Sequence, residues 1–235
     1  MNLVRSNWLD EDIKLFKQYE LSFLGDKKDC EWEQRIVNTK LQCFGKTSGK
    51  AKKLVKEIKK GNYLEFIDHL KIENHLESLI VAFLISSIKD FGEFESKLDN
   101  FVKTIDNWAS TDTLRFQKKD RSKLKLLSIK YLKSSKPFIR RTGLNIYFEL
   151  IHDHQYLKDA LEVIESLKNE QEYYVNMCAA WLLADCFAKY RDETLSFFEV
   201  STTNSFIINK AISKCRDSFR VSKEDKDYLL KFKRK

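Results

Sequence analysis

"ENHLESLIVAFLISSIKD", residues 73–90, decides the fold. It is apolar around much of a helical circumference, so it reads as a helix enclosed by neighbours. Working outward from it, the same period recurs nearly throughout the chain. "DEDIKLFKQYELSFL" (10–24) carries apolar residues at 13, 15, 16, 19, 21, 23 and 24. "SGKAKKLVKEIKK" (48–60) is a basic helix with a narrow stripe of Ala51, Leu54, Val55 and Ile58. "NYLEFIDHLK" (62–71) follows Gly61, a helix stop. Helices are further predicted near 93–102, 104–113, 119–133, 138–152, 155–168, 171–189, 191–199, 203–217 and 223–231.

No stretch alternates with period two for long enough to read as a strand. One proline and six glycines in 235 residues are too few to turn an all-β chain of this length. Short loops imply antiparallel neighbours. From residue 62 onward the helices fall into pairs of roughly 30–40 residues, within the range of two-helix repeats. The expectation is all-α, either an α-solenoid or an irregular helical bundle.

The net charge of +8 is unevenly spread. Residues 46–60 carry +6, residues 115–141 carry +10 and residues 210–235 carry +6, so the remainder carries −14. Three separated basic runs point to a polyanion such as nucleic acid, provided the fold gathers them. One such run alone would read as a solvated helix face. The five cysteines (30, 43, 178, 186 and 215) are odd in number and form no C-x-x-C. With no secretory signal in "MNLVRSNWLDEDIKLF" and no apolar run long enough for a bilayer, a cytoplasmic chain with free thiols and no membrane contact is expected.

Candidate chemistry is sparse. "GKTSGKAKK" (45–53) imitates a phosphate-binding loop but has three residues between Gly45 and Gly49, and Ala51 where Ser or Thr is needed. It reads instead as a basic helix start whose N–H groups can meet a phosphate of a longer polymer. His152 and His154 diverge on a helix and have no third ligand, so no metal is expected. Cys186 reads as a small buried hydrophobe, and no nucleophilic triad can be assembled. The default place for Trp108 and Trp181 is the core, and a lone Asp112 is ordinarily a cap or surface carboxylate.

"IDNWASTD" (105–112) and "YYVNMCAAWLLADCFAKY" (173–190) resemble signature stretches of the AlkD-like DNA alkylation repair family. The resemblance extends to "FGKTSGKAKKLVKEI", "PFIRRTGLNIYF" and "NKAISKCRDSFRVSKEDKDYLLKFKRK", in the family's order, from about residue 12 to the C-terminus. It implies a single domain over residues 1–235 built of antiparallel HEAT-like helix pairs in a C-shaped superhelix with a basic concave surface. It also implies a monofunctional DNA glycosylase, a hydrolase removing cationic N3- and N7-alkylpurines from duplex DNA in base excision repair. Carried over by motif, Trp108, Asp112 and Trp181 are site residues, with Arg141 as the backbone grip and Arg140 as its neighbouring register. Lys46, Lys50, Lys52, Lys118, Lys119, Arg140, Lys210, Lys214, Arg216 and Arg220 are the expected DNA-contacting cations. No metal or other cofactor is implied. The partner is alkylated duplex DNA, the chain a monomer, and the setting a bacterial cytosol or nucleoid. The alternative is a non-catalytic DNA-binding helical-repeat protein that recognises damaged or unusual DNA. The chain departs from the family's pattern at Gly49 and Lys52, often proline and arginine, and at Thr111, often cysteine.

Overall fold

The computed structural model describes residues 1–235, which form fourteen α-helices and no strand. The all-α expectation holds. The chain divides into two compact units, residues 1–119 and 120–235.

The first unit contains α1 (Asp10–Glu20), α2 (Lys27–Val37), α3 (Thr47–Ile58), α4 (Tyr63–His69), α5 (His75–Ser87), α6 (Phe91–Phe101) and α7 (Trp108–Thr113). The deciding stretch forms α5, and ten of its thirteen residues are buried. Its apolar girdle is met by α3, α4, α6 and α7. Such a helix is covered by several neighbours because no face of it can be left in water. The second unit repeats this plan with α8 (Arg121–Leu132), α9 (Pro137–Leu150), α10 (Leu157–Ser166), α11 (Tyr173–Lys189), α12 (Arg191–Val200), α13 (Ser205–Asp217) and α14 (Lys223–Tyr228). Here α11 is the enclosed helix, packed against α9, α10, α12 and α13. Alternate helices therefore lie side by side within each unit: α3, α5 and α7 in the first, α9, α11 and α13 in the second. The other helices cover them. A solenoid of helix pairs is built this way.

Local chemistry starts most of these helices. Side chains of Asp26, Asn62, Asn74, Asp90, Asn107, Asp120, Asn204 and Ser222 each accept the N–H three residues on. Pro137 occupies the first turn of α9, where its missing N–H costs nothing. α2 is a helix the apolar period did not reveal. It buries only Val37, and its dense charge hides the pattern. The helix predicted over 104–113 is shorter, because Asn107 caps it and α7 begins at Trp108. Gly45 takes φ +68°, and a Cβ there would lie 2.9 Å from Asp29 Cβ. The turn between α2 and α3 therefore needs glycine.

One polar cluster sits inside the first unit. Glu20, at the end of α1, and Glu77, in the first turn of α5, are both buried. Asn74 donates to Glu20 Oε1 at 2.7 Å, while Glu20 Oε2 has no donor. Lys17 Nζ lies 3.3 Å from Glu77 Oε1 and 2.6 Å from Glu73 Oε2. Burial, then the charge of Glu77, pushes the Glu20 carboxyl up to about 8. Glu20 thus keeps its proton at neutral pH and shares a hydrogen bond with Glu77. The folded state binds this proton and the unfolded state releases it near pH 4.5. Stability therefore falls as pH rises from about 4.5 through 8. Glu20→Gln, which keeps a neutral donor, is expected to flatten this fall and to be the more stable protein at pH 8. Urea unfolding of both proteins between pH 5 and 8.5 measures it, and parallel curves would refute the shared proton.

Candidate active site and nucleic-acid contacts

α7 is only six residues long, far too short to persist alone. Tertiary ties hold it. Buried Asn107 accepts the Ser110 N–H at 2.9 Å and donates to Asp106 Oδ1 at 2.8 Å. Asp106 in turn accepts from the Thr39 hydroxyl at 2.6 Å and the Lys40 N–H at 2.8 Å. Ser110 meets Ser78 of α5 at 2.8 Å between buried hydroxyls. Trp108 Nε1 donates to Ile36 O at the end of α2, at 3.1 Å.

These ties leave Trp108 and Asp112 on one short helix, both partly exposed, as the i,i+4 spacing predicts. Neither is core. The Thr111 hydroxyl lies 2.7 Å from Trp108 O and 3.0 Å from Asp112 Oδ1, bracing the carboxylate from the residue before it. Arg115, which the motif reading did not single out, donates to Asp112 O at 2.6 Å and Leu114 O at 2.9 Å. A cation at a helix C-terminus is stabilising. Its signal in the sequence was only its place, three residues after Asp112.

In the second unit, Trp181 is 48% exposed on a helix whose other faces are buried. The core default fails for it because Cys178, Ala179, Ala180, Leu182 and Leu183 already fill the covered faces. Lys214 of α13 stands 5.0 Å from its ring centroid, a cation–π contact. Trp181, Lys214, Asp185, Ser218 and Arg220 border a cleft of about 260 Å³. Arg220 donates to Asp185 Oδ1, one helical turn beyond Trp181.

The two central arginines are placed differently from a free backbone grip. Arg141 is 4% exposed and donates to Tyr174 O. Arg140 donates to both oxygens of Glu170, at 2.8 and 3.0 Å, and to the carbonyls of Ser134 and Ser135, each at 2.9 Å. Although burial opposes it, this pairing holds the Glu170 carboxyl below the usual range. Both arginines fasten α9 to the start of α11.

Other cations of the three runs are also engaged internally. Lys50 donates to Phe44 O at 2.7 Å. Lys119 donates to Ile88 O and faces the Phe94 ring, and burial lowers its ammonium's pKa. Lys46 pairs with Asp29 at 2.8 Å. Their hydrogen bond holds the Asp29 carboxyl down and the Lys46 ammonium up. At the start of α3, Glu33 of α2 accepts the Thr47 N–H at 2.9 Å. A carboxylate of the chain thus already occupies part of that expected phosphate seat. Lys52, Lys118, Lys210 and Arg216 are exposed. A groove of about 670 Å³ between α10 and α12, lined by residues such as Leu161, Phe197 and Val200, contains none of the candidate residues. His154, at that groove, pairs with Glu193 at 2.9 Å on the surface. No group of three or more His, Cys, Asp or Glu is placed to hold a metal ion. No helix is long and apolar enough to cross a membrane.

A family model described as "DNA alkylation repair enzyme" matches residues 18–215. No curated protein and no solved structure gives a significant match.

Asn107→Ala removes the cap and the buried link to Asp106. It is expected to cost about 1–2 kcal/mol of stability, read as a lower urea midpoint at unchanged slope. A midpoint equal to that of the unaltered protein would show that α7 does not depend on this cap.

Proposed function

The chain belongs to the DNA alkylation repair enzyme family, and on that premise we propose that it is a DNA glycosylase. Its substrates are cationic N3- and N7-alkylpurines in duplex DNA. The observation that supports this reading best is the Trp108–Asp112 pair: an indole and a carboxylate on a six-residue helix pinned at its cap, at Ser110 and at Ile36.

The chemistry needs little more. An N7-alkylated purine already carries the charge that protonation would otherwise supply, so no general acid is required. When the bond between C1′ and the base nitrogen breaks, its electron pair leaves with the base, which becomes neutral. The positive charge passes to the deoxyribose. Asp112 stabilises that growing charge and orients the water that attacks C1′, and the water's proton is released. At 4 Å the attraction is worth about 1 kcal/mol in water and about 4 kcal/mol at an effective dielectric of 20. The second figure corresponds to roughly a thousandfold in rate. The indole of Trp108, on the same helix as Asp112, contributes cation–π attraction to the alkylated base, and Trp181 is proposed as a further contact to the DNA. Lys214, Arg216 and Arg220 are proposed to meet phosphates, which position the duplex without reading its sequence.

A non-catalytic DNA-binding protein is the second reading. One observation favours it: Arg140 and Arg141, assigned to the backbone grip, are both occupied inside the protein.

Release of 7-methylguanine from methylated duplex DNA by the purified chain separates the two. The glycosylase reading expects release. It also expects about a hundred- to a thousandfold lower rate for Asp112→Asn, with duplex affinity unchanged. Binding without any release at high protein concentration would leave only the second reading. Both readings expect affinity to fall with salt, log Kobs losing about 0.9 per phosphate neutralised. Lys214→Ala should lower that slope by about one, and an unaltered slope would remove Lys214 from the phosphate contacts.

A further inference from the structure

The linker between α13 and α14, "SFRVS" (218–222), places Phe219 wholly in solvent. At 104% exposure it is the most exposed large hydrophobic residue of the chain. The backbone around it is fastened on both sides. The Ser218 N–H meets Cys215 O at 3.2 Å, the Arg220 N–H meets the Ser218 hydroxyl at 3.2 Å, and Ser222 caps α14 at 3.0 Å. Cys215 and Val221, on either side, are buried. Arg220 itself is anchored on Asp185 of α11. The ring is therefore held out by a braced turn.

Single exposed apolar residues are ordinary on protein surfaces. This one differs in its company. Arg220 follows it on the turn and Arg216 stands in the last turn of α13, while the cleft at the foot of the turn is bordered by Lys214, Trp181 and the carboxylates of Asp185 and Asp217. A protein-binding hot spot places its aromatic anchor within an apolar, desolvated centre. An aromatic ring projecting between two exposed arginines is the arrangement of a side chain that enters a base step while its neighbours hold the phosphates.

We infer that Phe219 is a wedge that inserts into a base step of duplex DNA, with Arg216 and Arg220 gripping the backbone beside it. The inference rests on duplex DNA being the substrate, as in the proposed function. It adds an insertion into the base stack to the phosphate contacts already proposed for Arg216 and Arg220. A wedge of this kind unstacks and bends the duplex locally, which exposes the glycosidic bond of a neighbouring nucleotide.

The test uses the full chain and duplex oligonucleotides carrying 2-aminopurine at successive positions, whose fluorescence rises on unstacking. Binding is expected to raise it at one or two adjacent positions. Phe219→Ala should abolish the rise and weaken affinity about tenfold, whereas Phe219→Leu should keep both. The thermal midpoint should be the same in all three, because the exposed ring supports no packing. Phe219→Ala with the original fluorescence rise and affinity would overturn the wedge and leave DNA binding intact. A starting protein that fails to bind the duplex would overturn both. A change confined to the sedimentation of the free protein would assign the ring to a protein contact and overturn the wedge.

Discussion

Two largely apolar helices constrain everything else in this protein. α5 and α11 are buried along most of their length, and each is packed against four neighbours. An amphipathic helix needs only one cover, but these need cover on several sides, α11 leaving the strip that carries Trp181 in solvent. Each unit is therefore a layer of alternate helices with the enclosed one in the middle and further helices packed over it. The enclosed helices carry small residues that are fully buried, such as Ala82 in α5 and Ala179 and Ala180 in α11. The cost appears at the start of α5, where Glu77 is buried with Glu20 and the pair is reconciled by a retained proton.

The same constraint supports the candidate site. α7 could not form by itself, yet α5 offers Ser78 to it, and α2 offers the Ile36 carbonyl. Asp106 and Asn107 complete a polar floor that reaches back to Thr39 and Lys40. Asp112 is thus carried by a rigid base although its helix is short. A carboxylate near a polyanion is unfavourable in the ground state. In the proposed reaction it becomes useful because positive charge develops beside it.

The electrostatics are more selective than the net charge implies. Arg140, Arg141, Lys50, Lys119 and Arg234 direct their donors to groups of the protein itself. They close loops and tie helices together. The cations of α13 and the turn after it behave differently. Lys214 lies over the exposed Trp181, while Arg220 is oriented by Asp185 and keeps over half its side chain in solvent. In the second unit, aromatic rings and cations are exposed together there.

Helix content and most helix positions were legible in the sequence, because a helix is specified by residues three and four apart. The enclosed nature of α5 was legible for the same reason. The motif residues Trp108 and Asp112 could likewise be placed on one helical face. α2 was not legible, since its charges mask a period that only packing reveals. Nor could the sequence say that Arg140 meets Glu170, thirty residues away, or that Trp108 reaches Ile36, seventy-two residues away. It could not separate the buried Trp8 from the exposed Trp181. Those outcomes depend on which distant groups the tertiary structure brings within hydrogen-bond range, and on which face of a helix is already filled. Local periodicity carries no information about either.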